Sequence, residues 1–301
     1  MINEMSLKAK INNYARKNKI MPQVVMQNYM FERFLDRLSH SNYKDNFVIK
    51  GGILIAAIVG LDTRSTMDLD TTIERLSIEE ENIQRIINEI SQIELNDNVI
   101  FDVKSLESIR KNDVYGGLSV RIDAKYGTII TNLSIDISTG DIITPHAVEY
   151  EFDCIFEDTS IKVKGYNIET VLAEKIETII SRGVLNTRPR DFYDIYILTN
   201  TQRYDTMIFN EALLETAKHR DTNLLLNEAV SILAEIKLSD TLKNNWIKYQ
   251  RQFQYARDIS FEETVIAIME LINIDRVNDI YEFCDVTTEE VQGLTKDHQE
   301  R

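Results

Sequence analysis

Chain-breaking and cross-linking residues are scarce in this chain of 301 residues: three prolines, ten glycines and two cysteines. So few breakers leave room for long helices and argue against a fold of many short strands joined by tight turns. Cys154 and Cys284 fit neither a metal-ligand spacing nor a disulfide framework. His40, His146, His219 and His298 show no ligand spacing either. The longest uncharged apolar run, residues 53–61, falls far short of the ~20 residues that cross a bilayer. The N-terminal stretch holds Glu4 and several lysines but no apolar signal core. A cytoplasmic protein with no membrane contact is therefore expected. The sequence also lacks a Ser-His-Asp arrangement, a P-loop, internal repeats and low-complexity tracts.

Positive charge is in deficit as well. Lys and Arg total 34 against 49 Asp and Glu, a formal net charge of −15. Phosphate backbones are held mainly by Lys and Arg, so an indiscriminate nucleic-acid binder is excluded. One local exception is residues 8–19, where Lys8, Lys10, Arg16, Lys17 and Lys19 occur with no acid among them. Such a run forms a solvated helix face or a local RNA contact. If it is the contact, neutralising it weakens acceptor binding.

What is present suffices for a sizeable core, with 43% hydrophobic residues, and the length suggests two domains. Apolar periodicity predicts two helices in the first ~40 residues, the second after Pro22 with Val24, Phe31, Leu35 and Leu38 on one face. A strand at 47–49, a buried helix at 53–59, a strand at 67–73 and a helix from Ser77 to about Leu95 follow. Strand-like segments then dominate, clearest at 99–103, 118–124, 133–137 and 161–163. After Tyr166 the apolar spacing turns helical almost to Phe283, with turns near Arg188-Pro189, Arg220-Asp221 and Leu238-Ser239, and a polar, frayed end from Asp285. The expected class is α+β: a mixed-sheet domain with N-terminal helices over residues 1–165, then an all-helical domain over 166–301.

The chemistry begins at Arg64-Ser65-Thr66-Met67-Asp68-Leu69-Asp70. Two carboxylates separated by one residue on a strand share a face, ~6–7 Å apart at Cα. Such a pair can bracket two divalent cations of the kind used in phosphoryl chemistry. Mg²⁺ suits an all-carboxylate site with room for phosphate oxygens, and Mn²⁺ is the substitute. Alone, the motif is equally an acidic, solvated strand face. Lys50-Gly51-Gly52 lies between a strand and a helix, where backbone N–H groups can cradle phosphate; an ordinary tight turn reads the same way. Asp136, within Leu133-Ser134-Ile135-Asp136-Ile137-Ser138, is a third acid facing away from a core strand, and could deprotonate or hold an attacking hydroxyl.

A second block runs Glu169-Thr170-Val171-Leu172-Ala173-Glu174-Lys175, then Arg182, then Arg188-Pro189-Arg190-Asp191-Phe192-Tyr193-Asp194. Lys175 falls within a helical core stripe, so its stem packs while its ammonium reaches out. Asp191 and Asp194 share a helix face. A snorkelling lysine and a helix-dipole carboxylate are the plain structural alternatives. Arg121, on the polar side of its strand, and Tyr115, near Gly116-Gly117, are read as an exposed arginine and turn packing. Trp246, Tyr249, Phe253 and Phe261 are read as helix core.

Strand, Gly-Gly, helix, paired-Asp strand and a later single-Asp strand, in that order, resemble the polymerase-β nucleotidyltransferase superfamily. With the second block, residues 47–198 resemble more particularly the AbiEii/AbiGii abortive-infection toxins. That resemblance implies a nucleotidyltransferase acting as the toxin of a bacterial toxin–antitoxin, phage-defence system. It would move a nucleotide from an NTP, GTP or a pyrimidine triphosphate, onto an RNA acceptor, with tRNA the expected one, and would have a cognate antitoxin encoded by a neighbouring gene. The implied catalytic residues are Asp68, Asp70, Asp136, Lys175 and Asp191, with the three acids 68, 70 and 136 on metal. Lys50, Gly51, Gly52, Arg64, Ser65, Thr66 and Lys175 would bind nucleotide. One departure stands out: many relatives read Gly-Ser at the turn, so the serine hydroxyl missing at Gly52 has to come from elsewhere, such as Thr66 or Ser65. A catalytically silent nucleotide-binding module, a metal-dependent nuclease and a DxD glycosyltransferase share parts of this pattern.

Overall fold

The computed structural model describes residues 3–109 and 116–272. Expectations for Tyr115, Cys284, His298, the helical spacing beyond Ile272 and the polar end from Asp285 lie outside the described residues. The chain divides into two compact units, Met1–Val171 and Leu172–Arg301.

In the first unit, α1 (Glu4–Asn18) and α2 (Pro22–His40) precede a seven-stranded mixed sheet. The strands are β1 (Phe47–Lys50), β2 (Leu69–Ile73), β3 (Val99–Ile109), β4 (Gly117–Tyr126), β5 (Ile129–Thr139), β6 (Val148–Asp153) and β7 (Ser160–Gly165), in the order β3-β4-β5-β2-β1-β7-β6. Helix α3 (Gly51–Val59) joins β1 to β2, and α4 (Glu80–Ser91) joins β2 to β3. The pairs β1–β7 and β2–β5 are parallel, and the rest are antiparallel.

Strand alternation sorts the sheet into two faces. Leu118, Val120, Ile122 and Ala124 of β4, Leu133, Ile135 and Ile137 of β5, and Leu69 and Ile73 of β2 are buried. Helix α2 packs against β5 and β7, and Val24, Phe31, Leu35 and Leu38, expected on one face, are all buried. Polar pins fix α2 as firmly as its apolar stripe does. Arg37 grips Asp97 with two hydrogen bonds of 2.7 and 2.9 Å and donates a third to the carbonyl of Val99. The amides of Gln27 and Asn28 donate to the carbonyls of Met67 and Thr66, which ties the stretch before β2 to the helix. The opposite face of β4 and β5 carries the half-exposed or exposed Ser119, Arg121, Asp123, Asn132, Ser134 and Asp136.

Several elements differ from the sequence reading. Helix α3 begins at Gly51 rather than residue 53, with Gly51 itself in the left-handed region. Strand β2 begins at Leu69, not 67, since the amides of α2 hold Thr66 and Met67 before pairing can start. Strand β6, with the sequence VEYEFD, was not foreseen; an edge strand with acids on its exposed positions has too little apolar alternation to announce itself.

The second unit is helical. Helix α5 (Ile168–Arg182) starts in the first unit and continues into it, so the expected boundary at residue 165 falls at the end of β7, just before this helix. Helix α6 (Pro189–Thr201) packs against α9 (Asp240–Gln252) and α10 (Phe261–Ile272), and α8 (Ala229–Leu238) also packs against α10; α7 (Thr206–His219) lies between α6 and α8 in the chain. Trp246, Tyr249 and Phe261 are core residues, as expected, with the Trp246 indole donating to the Ile259 carbonyl at 2.9 Å.

Candidate active site

The register of the sheet brings together acids that are far apart in sequence. Lys50 pairs with Asp70 across β1 and β2, Asp70 with Asp136 across β2 and β5, and Asp136 with Ser119 across β5 and β4. Residues in direct register point to one face, so Lys50, Asp70, Asp136 and Ser119 form a single row across four strands. Asp70 and Asp136 sit one strand spacing apart, about 4.8 Å. Ser119 donates a hydrogen bond to Asp136 Oδ1 at 2.7 Å, with Ser134 behind it at 3.4 Å. Among the described residues no cation is paired with Asp136.

Gly51 closes one side of this row. Its φ is +65°, a left-handed value that a residue with a Cβ adopts at a cost. A Cβ there would also collide with the Asp70 carboxylate, at 2.9 Å from its Cγ. Glycine is thus required twice, and the Asp70 carboxylate lies against the first turn of α3. The N-cap residue, Lys50, makes no side-chain cap to that turn.

Gly52 has its own steric reason. A Cβ at this position would lie 2.6 Å from Thr66 Oγ1 and 3.3 Å from Arg64 Nη2. The Thr66 hydroxyl occupies the space that a side chain at 52 would need. Its hydrogen bonds with the carbonyl and N–H of Asp68 are long, 3.4 and 3.5 Å. Arg64 is buried and donates to the Ser65 carbonyl, and Ser65 and Thr66 are buried as well. The stretch 64–66 therefore wraps the start of α3.

Two residues behave differently from the rest of the expected set. Asp68 is exposed on the approach to β2, so strand alternation does not aim it with Asp70. Among the described residues no group of three or more His, Cys, Asp or Glu side chains is gathered closely enough to hold a metal ion. Lys50 turns to a residue the sequence reading missed: its ammonium lies 2.5 Å from Asp141 Oδ2 and 5.5 Å from the centre of the Tyr166 ring. Burial pushes the Asp141 carboxyl up, but Lys50 and the hydroxyls of Ser138 and Thr72 outweigh it and hold the carboxyl at about 2. Asp141 follows β5 in a Ser-Thr-Gly-Asp turn, a signal only for a turn; its tie to Lys50 depends on β1 and β5 flanking β2.

In the helical unit Lys175 Nζ lies 3.0 Å from Asp191 Oδ1 and 2.7 Å from Asp194 Oδ2. The shared face of Asp191 and Asp194 is thus used to bind one ammonium. The second Asp191 oxygen, Oδ2, is buried with no hydrogen-bond partner, an unmet acceptor of a kind uncommon in folded proteins. Arg121 is exposed and only 3.6 Å from Glu107, as expected of a surface strand arginine.

No helix among the described residues is long and apolar enough to cross a membrane. No curated protein matches the sequence. Similar solved structures include JHP933 from Helicobacter pylori, at 17% identity and a TM-score of 0.45 over 90% of this chain and 98% of that one, and an antigenic nucleotidyltransferase-like protein from Paracoccidioides brasiliensis, at 13% identity and a TM-score of 0.38 over 67% of this chain and 92% of that one. The family model for the nucleotidyl transferase AbiEii toxin of Type IV toxin–antitoxin systems matches residues 33–267, a span that holds every acid, glycine and lysine of the site described above. The chain belongs to that AbiEii family and is a nucleotidyltransferase of a toxin–antitoxin system.

Proposed function

We propose that this protein transfers a nucleotide from an NTP to an RNA acceptor, tRNA foremost, on the polar row of its sheet, and so stops translation until a cognate antitoxin intervenes. The observation that carries the proposal is the direct register of Asp70 and Asp136 beside the start of α3. The triphosphate would lie along that helix start, against Gly51 and Gly52, with the Thr66 hydroxyl and the Arg64 guanidinium beside it and Ser65 shaping the loop. Lys50 enters through its pair with Asp141, which anchors the strand end that carries the glycines.

The acceptor hydroxyl attacks the α-phosphorus in line. A new P–O bond forms, the bond between the α-phosphorus and its bridging oxygen breaks, and pyrophosphate leaves. The hydroxyl proton passes to the Asp136 carboxylate, which Ser119 holds in place through the other oxygen. The donor set, carboxylates on an open face, fits a hard divalent cation of the Mg²⁺ type, with Mn²⁺ as substitute. Asp70 and Asp136 would hold it, with Asp68 turning inward. Such a cation neutralises phosphate charge and makes the attacking hydroxyl more acidic. Lys175 and Asp191, paired in the helical unit, would keep the roles that the family resemblance implies, a nucleotide contact and its support. Positioning and charge neutralisation supply the rate.

The test is incubation with Mg²⁺, each labelled NTP and total tRNA. Label should pass into tRNA, and Asp70→Asn or Asp136→Asn should each lower the rate by at least about 100-fold. Absence of transfer from every triphosphate would reject the proposal.

A further inference from the structure

On an acidic protein, a cluster of arginines that no carboxylate answers needs a reason. The connection from α5 to α6 holds one. Arg182, Arg188 and Arg190 are all exposed, and none forms an ion pair with another described residue. No acid occurs between Glu177 and Asp191, and both of those are already engaged, Glu177 by Arg220 and Asp191 by Lys175.

Local structure explains one of the three. Arg182 ends α5, where a cation suits the negative end of the helix dipole. Arg188 and Arg190 sit at the cap and in the first turn of α6, where a cation is disfavoured. The run in α1 differs in this respect. Lys8 is paired with Glu4 at 2.7 Å, Lys10 lies over the Phe156 ring, and Arg16 and Lys17 occupy the last turn, where the dipole favours them. That segment has a structural account; the start of α6 has none.

A second observation at the same place indicates a missing acceptor. Asn186 is 2% exposed and accepts from the Arg188 N–H at 2.7 Å, which sets its amide at the α6 cap. Its Nδ2 is buried with no partner. Beside it, Leu185 is 82% exposed, an apolar side chain held out in solvent.

We infer that the α5–α6 connection is the surface on which the RNA acceptor docks, its phosphodiesters lying along Arg182, Arg188 and Arg190 across the start of α6. A polyanion meets both needs: it answers cations that oppose the helix dipole, and it brings acceptor oxygens to the cap. Exposed guanidiniums spread along a connection fit a chain of phosphates. This inference takes from the proposed function only that the acceptor is RNA.

The experiment measures binding, by fluorescence anisotropy of a labelled RNA stem-loop with a single-stranded 3′ end, on the full chain from 50 to 200 mM salt. Wild type should lose affinity more steeply with salt than the triple variant Arg182→Gln, Arg188→Gln, Arg190→Gln. Three lost phosphate contacts correspond to a difference of roughly 20- to 40-fold across that range. The Arg→Lys triple variant, with charge kept, should retain the wild-type slope, which separates docking from misfolding. Triphosphate affinity measured without RNA should be unchanged in both variants. An unchanged slope in the Gln variant overturns the inference, as does an equal loss of triphosphate affinity, or a loss confined to a variant neutralised at Lys8, Lys10, Arg16, Lys17 and Lys19. Wild type that binds RNA through these arginines yet transfers nothing to it would reject the transfer reaction and leave this surface standing. Wild type that binds no RNA would reject this surface, even if a nucleotide reached some other acceptor.

Discussion

The two units hold their carboxylates in opposite ways. In the helical unit Asp191 and Asp194 close around Lys175, and all three are nearly out of reach of water. On the sheet, Asp136 is half-exposed, steadied by the hydroxyls of Ser119 and Ser134 alone. A buried ammonium between two carboxylates is a structural bond first, because removing it strands negative charge in a poorly solvated place. A carboxylate held only by hydroxyls keeps its charge available, and its fixed geometry serves whatever cation arrives. Mutations should therefore damage stability in the one and activity in the other.

The sharpest break would come at Lys175. Lys175→Met takes the ammonium away from two buried carboxylates and should cost about 3–5 kcal/mol in urea denaturation, whereas Asp136→Asn should change stability by less than about 0.5 kcal/mol. Equal effects would erase the distinction. Lys50 and Asp141 test whether a closed pair behaves the same way within the sheet unit. The Asp141 carboxyl is held at about 2 in the fold against 3.8 outside it, so its contribution is fully present above pH 4 and disappears as pH falls through 2. That contribution is on the order of 2 kcal/mol. Melting curves of wild type and Asp141→Asn should be well separated at pH 7 and converge below pH 4; a constant gap would show that the ion pair is not the cause.

Crowding at the start of α3 is next in size. Gly52→Ser should cost about 1–3 kcal/mol, because its Cβ needs the place of the Thr66 hydroxyl. Adding Thr66→Ala should recover most of that loss, with a coupling above about 1 kcal/mol. Independent effects would mean that the two positions do not compete. Smallest of all is Ser119→Ala, which should slow transfer about 10-fold with little change in the KM for NTP or in melting temperature. A rise in KM instead would place Ser119 on the nucleotide rather than behind Asp136.

Much of this was readable from the chain. Alternation in 133–137 turned Asp136 away from the core, Gly51-Gly52 marked the junction of β1 and α3, and the spacing of three put Asp191 and Asp194 on one helix face. The strand pattern starts at residue 67, but Gln27 and Asn28 hold the backbone of Met67 and Thr66, and β2 begins at Leu69. Ser119 and Asp141 gave no signal of their own. Each is one polar residue among many until a neighbour from another strand selects it.

The sequence by itself determined which residues lie inside, which face of each strand is polar, and roughly where helices lie, because periodicity, propensity and the steric freedom of glycine act over a few residues. The tertiary structure alone decided that β5 lies beside β2, that Asp136 therefore meets Asp70, that Lys50 meets Asp141, and that the Thr66 hydroxyl fills the space over Gly52. Strand neighbours and loop paths are set by how separate elements bury one shared core, and no local pattern in the chain carries that information.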